Sequence, residues 1–232
     1  MEQHSKEIRQ NTKANKMILE FFIIKKRISK YLDSIMQKEN EKVLDLGCGN
    51  APYYHKFIKG KLICFDIAKT NKVSIVGDAD FLPFKSNFFD KVISINSLYY
   101  FKNPFNVVEN VSRILKRNGK FIIVLPFFYP IHDAPIDKYR FSEHGLRSML
   151  GKNFRIEKLH AIGGIFTLPS VVVHSIIKGF PLLFPKVMQK PIQIFTYVLF
   201  PVYIILQFLS IFDFIDRTRR MPTYYFVVAS KK

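Results

Sequence analysis

The sequence predicts an α/β protein with a mostly parallel central sheet that helices cover on both faces. Two observations carry this prediction. Strand-like and helix-like segments alternate over much of the chain, as they do when crossover helices connect parallel strands. The strand-like segments are continuous apolar runs rather than alternating ones, which is typical of strands buried on both sides.

Seven segments are predicted as strands and two as helices. The first strand, KVLDL, begins at Lys42 and runs into glycines, which indicate a tight turn. The other strands are Lys61–Ile67, Val73–Asp80, Phe89–Ser97, Lys120–Phe127, Phe154–Ile162 and Thr223–Lys232. The helices are Asn15–Met36 and Asn103–Gly119. The second helix has Asn103 near its cap, Pro104 in its first turn and Gly119 just past its end.

The composition describes a folded domain with a large excess of positive charge. The 232 residues are 48% hydrophobic and carry a formal net charge of +18. That charge indicates lipid headgroups, an acidic substrate or nucleic acid as a partner, or simply a lysine-rich composition. No RNA-binding module accompanies the charge, so a nucleic-acid partner is not expected.

The cysteines and the N-terminus point to a reducing, cytosolic setting. Cys48 and Cys64 are too few for a disulfide framework. Neither belongs to a recognisable zinc-ligand pattern, so no metal is expected. The segment MEQHSKEIRQNTKANK lacks the apolar core of a signal peptide.

The segment DLGCGN, Asp45–Asn50, is the candidate cofactor-binding turn. Gly47 and Gly49 permit backbone angles and a close approach that a β-carbon blocks. Asp66 ends the next strand about twenty residues on, where an acid commonly holds the two hydroxyls of a ribose. The full dinucleotide fingerprint is absent because Pro52 stands three residues after Gly49. On the glycines alone, an ordinary strand–helix connection stays open.

Two further motifs follow in order, GDADFLPFKSNFFDKVIS (Gly77–Ser94) and ILKRNGKFIIV (Ile114–Val124). With the glycine turn, they make the chain resemble the class I S-adenosylmethionine-dependent methyltransferases, in particular the small-molecule group. The resemblance implies a Rossmann-like, doubly wound sheet of seven strands whose last strand is antiparallel, here preceded by an apolar helical insertion. It also implies S-adenosylmethionine as the cofactor.

The same resemblance assigns roles to individual residues. Glycines and acids would line the methionine and ribose parts of the cofactor, and an acid and a small residue would meet the adenine. The implied cofactor-binding residues are Asp45, Gly47 and Gly49 at the turn, Asp66 at the ribose, Asp78 and Ala79 at the adenine, and Asn96 and Ser97 under the methionine part. Taken singly, each acid is equally well explained as a cap or turn former.

The loop PFFYPIHDAPIDKYRFS, Pro126–Ser142, is the candidate acceptor site because ligands bind at the carboxyl ends of parallel strands. An imidazole titrates near neutrality and suits a general base, which Asp133 or Asp137 would orient. An arginine and a phenol would bind an anionic or hydroxylated substrate. The expected catalytic residues are His132, Tyr139 and Arg140. The alternative is a polar network of His132, Asp137 and Arg140 that only fixes the loop.

An uncharged segment, Pro191–Phe212, is long enough to cross a bilayer. If the two C-terminal strands pair antiparallel, as the resemblance implies, both ends of the insertion lie on one side and a single crossing is impossible. A second crossing would need residues 165–187, which contain His174, Lys178 and three prolines and make a poor span.

The polar residues within the insertion favour a membrane-surface helix instead. Their spacing places them on one narrow side of a helix, and they are Gln193, Thr196, Tyr203, Gln207, Ser210 and Arg217. A helix with so wide an apolar face, kinked at Pro201, suits the headgroup layer. The flanking cations suit anionic lipid and are Lys178, Lys186, Lys190, Arg217, Arg219 and Arg220. A lid, a core element or a dimer interface stays open.

Together these features predict a methyltransferase domain of residues 1–164 and 221–232 and a hydrophobic insertion of residues 165–220. The expected substrate is a hydrophobic or lipid-linked small molecule, methylated by a cytoplasmic protein that is peripheral on the inner face of the membrane. The alternatives are a soluble sugar or metabolite with the insertion as lid, an RNA methyltransferase, and an inactive scaffold. The methyl acceptor and the oligomeric state are left open.

Overall fold

The computed structural model describes residues 22–50, 53–131 and 133–232, and its centre is a seven-stranded sheet. The strands are β1 Lys42–Leu46, β2 Lys61–Asp66, β3 Ile75–Val76, β4 Phe89–Ile95, β5 Leu115–Pro126, β6 Phe154–Ile162 and β7 Tyr224–Lys231. Their order across the sheet is β3–β2–β1–β4–β5–β7–β6. The first five strands are parallel, and β7 runs antiparallel to both β5 and β6. The predicted fold class is confirmed.

Helices cover both faces of this sheet. They are α1 Phe22–Ile35, α2 Pro104–Ile114, α3 Glu143–Gly151, α4 Leu168–Gly179, α5 Lys186–Thr196 and α6 Phe200–Leu209. On one face, α2 and α3 pack against inward side chains such as Leu44 and Phe121. On the other, α1 and the insertion pack against residues such as Val43 and Ile122. Adjacent strand residues thus serve opposite faces, which explains the continuous apolar runs.

The helix α2 begins where the sequence predicts and ends earlier. The Asn103 side chain accepts a hydrogen bond from the Asn106 amide (3.1 Å), as an N-cap should. The helix stops at Ile114 because Leu115 already pairs with Phe89 of β4. Gly119 therefore lies within β5 rather than just past the helix.

Three other elements differ from the prediction. The strand β3 is only two residues long, and α3 was not predicted at all. A 3₁₀ turn, His55–Phe57, follows the glycine turn and was not predicted either. The N-terminal helix is described from Phe22, and residues 15–21 of the predicted helix lie outside the described part of the chain.

The insertion between β6 and β7 consists of α4, α5, α6 and short 3₁₀ turns. By length and composition alone, its 29-residue segment Lys186–Phe214 is long and apolar enough to cross a membrane. In the structure this segment contains α5 and α6 with a 3₁₀ turn, Tyr197–Leu199, between them. Pro201 lies in the first turn of α6, and the kink predicted at this residue stays a prediction.

One carboxylate ties the end of the insertion to its beginning and to α1. Asp213 accepts hydrogen bonds from the Thr167 hydroxyl (2.5 Å) and from the amides of Phe166 and Thr167 (both 3.2 Å). It also pairs with Arg27 of α1 (3.4 Å), and its side chain is only 6% exposed. The insertion is therefore fastened to the loop after β6 and to α1.

We expect Asp213→Ala to lower the free energy of unfolding by about 2–3 kcal/mol, because it leaves several donors without an acceptor. The control is Glu109→Ala, which removes an exposed pair with Lys152 and should change stability by at most about 0.5 kcal/mol. Urea unfolding of both variants measures the difference. Equal stabilities would show that Asp213 does not anchor the insertion.

Candidate active site

The glycine turn after β1 is held by the neighbouring strand. The amide of Gly47 donates to the Phe65 carbonyl (2.8 Å), and Gly47 has φ +79°. A β-carbon built on Gly47 would lie 2.4 Å from Ser97 Cβ, so only glycine fits between these two chain segments. Gly49 also has positive φ (+64°), but a β-carbon there would meet no atom of the described residues within 4 Å. Among those residues, the open side of the turn is thus at Gly49.

The segment after β4 meets this turn from the other side. The Ser97 hydroxyl donates to the Leu46 carbonyl (2.7 Å) and lies 2.7 Å from the Ser94 hydroxyl. It therefore fixes the turn. Asn96 adopts φ +55°, and nothing among the described residues hydrogen-bonds to its buried Oδ1. A buried acceptor of this kind suits a ligand donor.

Asp66 at the end of β2 is held against the turn. One carboxylate oxygen accepts from the Gly49 amide and the other from the Ala68 amide, both at 2.8 Å. These two bonds fix the carboxylate orientation while each oxygen keeps further acceptor capacity. The sequence-predicted pair of Gly49 and Asp66 is thus brought together at one edge of the sheet.

The predicted adenine-binding residues follow β3. The Asp78 carboxylate accepts from the Asp80 amide (3.1 Å) and pairs with Lys102 (3.3 Å), whereas Ala79 is buried in the core. The Lys102 partner was not foreseen. Because that lysine is mostly exposed, the pair adds little stability.

Asp45, another predicted cofactor residue, lies behind the turn. Its side chain is fully buried and accepts from the Tyr54 hydroxyl (3.0 Å), and the His55 Nε2 lies 2.6 Å away. Burial raises the pKa of Asp45, and the His55 contacts oppose that rise. In this structure Asp45 supports the turn, and its contact with cofactor stays a prediction.

The loop after β5 is organised by two acid-centred pairs. Asp137 forms a two-point ion pair with Arg140, and the Arg140 guanidinium also lies over the Tyr99 ring (5.4 Å). The hydrogen bonds to Asp137 raise the pKa of Arg140. Asp133 accepts from the Tyr100 hydroxyl (2.5 Å). These contacts favour the alternative in which part of the polar cluster serves to fix the loop.

The other predicted catalytic residues stand as follows. The Tyr139 hydroxyl donates to the Lys102 carbonyl (3.1 Å), which fastens the loop to the segment after β4. His132 lies outside the described residues, so its role as a base stays a prediction, as do those of Tyr139 and Arg140.

The sequence did not predict the residues that hold Asp45 and Asp133 in place. Tyr54 and His55 hold Asp45, and Tyr100 holds Asp133. The only signal for Tyr100 was its position just after β4, at the carboxyl edge of the sheet. The roles of Tyr54 and His55 depend on a turn whose path no residue pattern defines.

Comparison with known proteins agrees with this architecture. Residues 44–123 match the family described as "Methyltransferase domain". An uncharacterised protein of Methanocaldococcus jannaschii, MJ1252, is 35% identical over 103 residues, which are 40% of this chain and 40% of that one. The human mitochondrial arginine-hydroxylase NDUFAF5 is 39% identical over 92 residues, which are 34% of this chain and 27% of that one. The present chain thus spans less than half the length of these two relatives.

The fold is also shared with solved structures. The [4+2]-cyclase SpnF is 15% identical, with a TM-score of 0.57 over 88% of this chain and 80% of that one. At this identity the likeness shows the fold alone. Residues 44–123 thus match a methyltransferase domain, and the sheet that contains them has the Rossmann-like fold of the class I, S-adenosylmethionine-dependent methyltransferases. The fixed Asp66 carboxylate, the open face of Gly49 and the Asn96 acceptor fit S-adenosylmethionine as the cofactor of that class.

We expect Gly47→Ala to destabilise the fold by about 2–4 kcal/mol, because the new methyl group overlaps Ser97 and the backbone angle becomes strained. Gly179→Ala is the matched control, since Gly179 ends α4 with ordinary angles and an added β-carbon there would meet no atom within 4 Å in the part of the chain that the structure describes. Thermal unfolding compares the two proteins. Equal melting temperatures would contradict the close packing of the turn on Ser97.

Proposed function

We propose that this chain transfers a methyl group from S-adenosylmethionine to a hydrophobic or lipid-linked small molecule that it meets at a membrane surface. The observation that carries the proposal is the orientation of the insertion. Its polar side chains point into the protein and its large apolar side chains point outward. This is the reverse of the pattern expected for helices on a water-exposed surface.

The inward face of α5 and α6 is largely polar. Thr196 is the buried residue of α5, and Tyr203 and Gln207 are those of α6. Ser210 follows in the next turn and is also buried. The Thr196 hydroxyl (3.3 Å) and the side-chain amide of Gln193 (2.9 Å) both donate to the Ile177 carbonyl of α4. Part of the predicted polar stripe therefore holds α5 against α4.

The outward face of the insertion is apolar and large. Seven apolar side chains between the end of α4 and the last 3₁₀ turn are more than two-thirds exposed, and they are Leu182, Leu183, Val187, Ile194, Phe195, Val198 and Phe214. An apolar surface this extensive marks an interaction site. Lys186, Lys190, Arg217, Arg219 and Arg220 are exposed beside it, and each cation near an anionic bilayer contributes about 1 kcal/mol of attraction.

The sheet topology supports a surface position instead of a crossing. Ile162 at the end of β6 pairs directly with Tyr224 at the start of β7. The insertion therefore leaves and re-enters the sheet at the same place. A single crossing of the apolar segment would separate these paired ends by the thickness of a bilayer.

The residues at the carboxyl edge of the sheet would bind the cofactor, position the acceptor and take up its proton. When bound, S-adenosylmethionine supplies a methyl group on a positively charged sulfur. Asp66 would hold the ribose hydroxyls, Asp78 and Ala79 would meet the adenine, and Asn96 would accept from the methionine part. The loop Pro126–Ser142 would position the acceptor, and His132 would take the proton that the acceptor loses.

The first test supplies methyl-labelled S-adenosylmethionine and a whole-cell extract to the purified protein, followed by partition of the label. We expect label in the organic phase, and we expect Asp66→Ala to reduce it at low cofactor concentration. Asp33→Ala, which changes an exposed acid of α1, is the control and should label normally.

Label confined to aqueous small molecules would make the substrate a soluble metabolite and the insertion a lid. Cofactor binding without any transfer of label would contradict methyl transfer. It would then favour another reaction on the same scaffold.

The second test measures membrane binding by flotation with phosphatidylcholine–phosphatidylglycerol vesicles. The double variant Phe195→Gln, Ile205→Gln should bind at least about a hundredfold more weakly, because each exposed apolar side chain contributes about 1.5–3 kcal/mol when buried. The matched control is Val76→Gln, Phe105→Gln, which changes two exposed apolar residues outside the insertion. Equal flotation of both variants would rule out the insertion as the docking element.

A further inference from the structure

A cluster of metal-binding side chains lies behind the glycine turn. One ligand atom from each of Asp45, Cys48 and Cys64 lies within 4.8 Å of the other two, and all three residues are buried. A fourth donor is next to them, because His55 Nε2 lies 2.6 Å from the Asp45 carboxylate and 4.0 Å from Cys64 Sγ. No role described above uses the two thiols.

The fold assembles this cluster from four separate places. Asp45 and Cys64 are register partners on the adjacent parallel strands β1 and β2, so their side chains emerge on the same face of the sheet. Cys48 comes from the glycine turn, and His55 comes from the 3₁₀ turn that follows. Because the donors are scattered in sequence, no cysteine–histidine spacing could reveal them.

We propose that Asp45, Cys48, His55 and Cys64 form a zinc site that locks the glycine turn in its cofactor-binding shape. Thiolate sulfur, imidazole nitrogen and carboxylate oxygen are all zinc ligands, and structural zinc sites bind four such donors in a tetrahedron. Their ligand bonds of about 2.0–2.3 Å place neighbouring donor atoms about 3.3–3.8 Å apart. The Asp45–His55 contact would widen to that range, and the sulfur contacts would close slightly.

A cation bound in this cluster would hold the glycine turn against β2. Gly47 donates to the Phe65 carbonyl of β2, and Gly49 donates to Asp66. A metal joining Cys48 to Cys64 would cross-link the same turn to the same strand from behind. Asp45 and His55 would then be positioning residues for the turn, which itself faces the cofactor from its Gly49 side.

The site is partly accessible and chemically distinct from its surroundings. The His55 side chain is 21% exposed, whereas Asp45 is fully buried, so a cation would enter from the histidine side. Cys48 and Cys64 are the only cysteines of the chain. Any thiolate–metal signal from this protein therefore reports on this cluster alone.

The experiment is a cobalt titration of the purified, reduced full chain, with zinc competition. We expect one cobalt ion per chain, with thiolate-to-cobalt charge transfer and the intense visible absorption of tetrahedral cobalt, both abolished by zinc. Cys64→Ser and His55→Ala should each weaken cobalt binding by at least about tenfold, since even outer-shell changes cost that much. His144→Ala removes an exposed histidine of α3 and should bind as the wild type does.

Two further readouts keep the proposal open to failure even if a variant folds poorly. In the wild type, a zinc chelator should weaken S-adenosylmethionine binding measured by calorimetry, and added zinc should restore that binding. Absence of the cobalt spectrum in the wild type, or an unchanged spectrum in a folded Cys64→Ser protein, would overturn the proposal. Because none of these readouts requires methyl transfer, their result is independent of the proposed activity.

Discussion

The antiparallel strand β7 is the constraint on which the rest of the structure depends. It lies between β5 and β6 and pairs with both along nearly its whole length. Through β5 it completes the sheet whose carboxyl edge holds the cofactor residues. Through β6 it fixes both ends of the insertion at one place, where Ile162 faces Tyr224. A bond network of this length does not open without loss of the fold, so the insertion must return to where it began.

This geometry links the two halves of the proposed function. The insertion covers the face of the sheet that α1 also covers, and its core residues Val171, Ile177 and Tyr203 pack there. The acceptor loop contacts the same region, since the ring of Tyr129 lies 6.1 Å from that of His174 and 5.8 Å from that of Tyr224. An acceptor that is drawn to the apolar surface would thus be close to the loop after β5. In the proposed arrangement, the buried polar stripe attaches the insertion to the domain, and the exposed apolar face would attach it to a bilayer.

Much of this could be predicted from the sequence because it depends on local patterns. Apolar runs followed by glycine or an acid identified β1 and β2, and the Asn103–Pro104 cap identified the start of α2. The end of α2 was predicted four residues late, because Leu115 pairs with Phe89 of β4 and this long-range contact leaves no local signal in the sequence. The helix α3 was missed although Ser142 caps it by accepting from the Gly145 amide (3.2 Å). Its first turn contains the glycine, which weakens the helical pattern.

The candidate site also combines features that the sequence could predict with features that it could not. The partnership of Gly49 with Asp66 followed from strand order, because both stand at the carboxyl edges of adjacent parallel strands. The pairing of Arg140 with Asp137 was weighed in advance, and the structure forms it as a bidentate contact that occupies the guanidinium. The gathering of Cys48, Cys64 and His55 around Asp45 could not be predicted, since it depends on strand register and on the path of a turn. The direction of the polar stripe could not be predicted either, because periodicity defines a face but not what that face contacts.

The measurement that tests the central claim most directly uses the absence of tryptophan from the chain. A single reporter is introduced as Phe195→Trp in the insertion, or as Phe105→Trp on α2, which packs on the opposite face of the sheet. Fluorescence quenching by bromine-labelled lipids in anionic vesicles then reports which side chain enters the bilayer. The account predicts quenching of the Phe195→Trp protein and none of the Phe105→Trp protein. Unquenched fluorescence from both proteins would contradict a membrane-facing insertion.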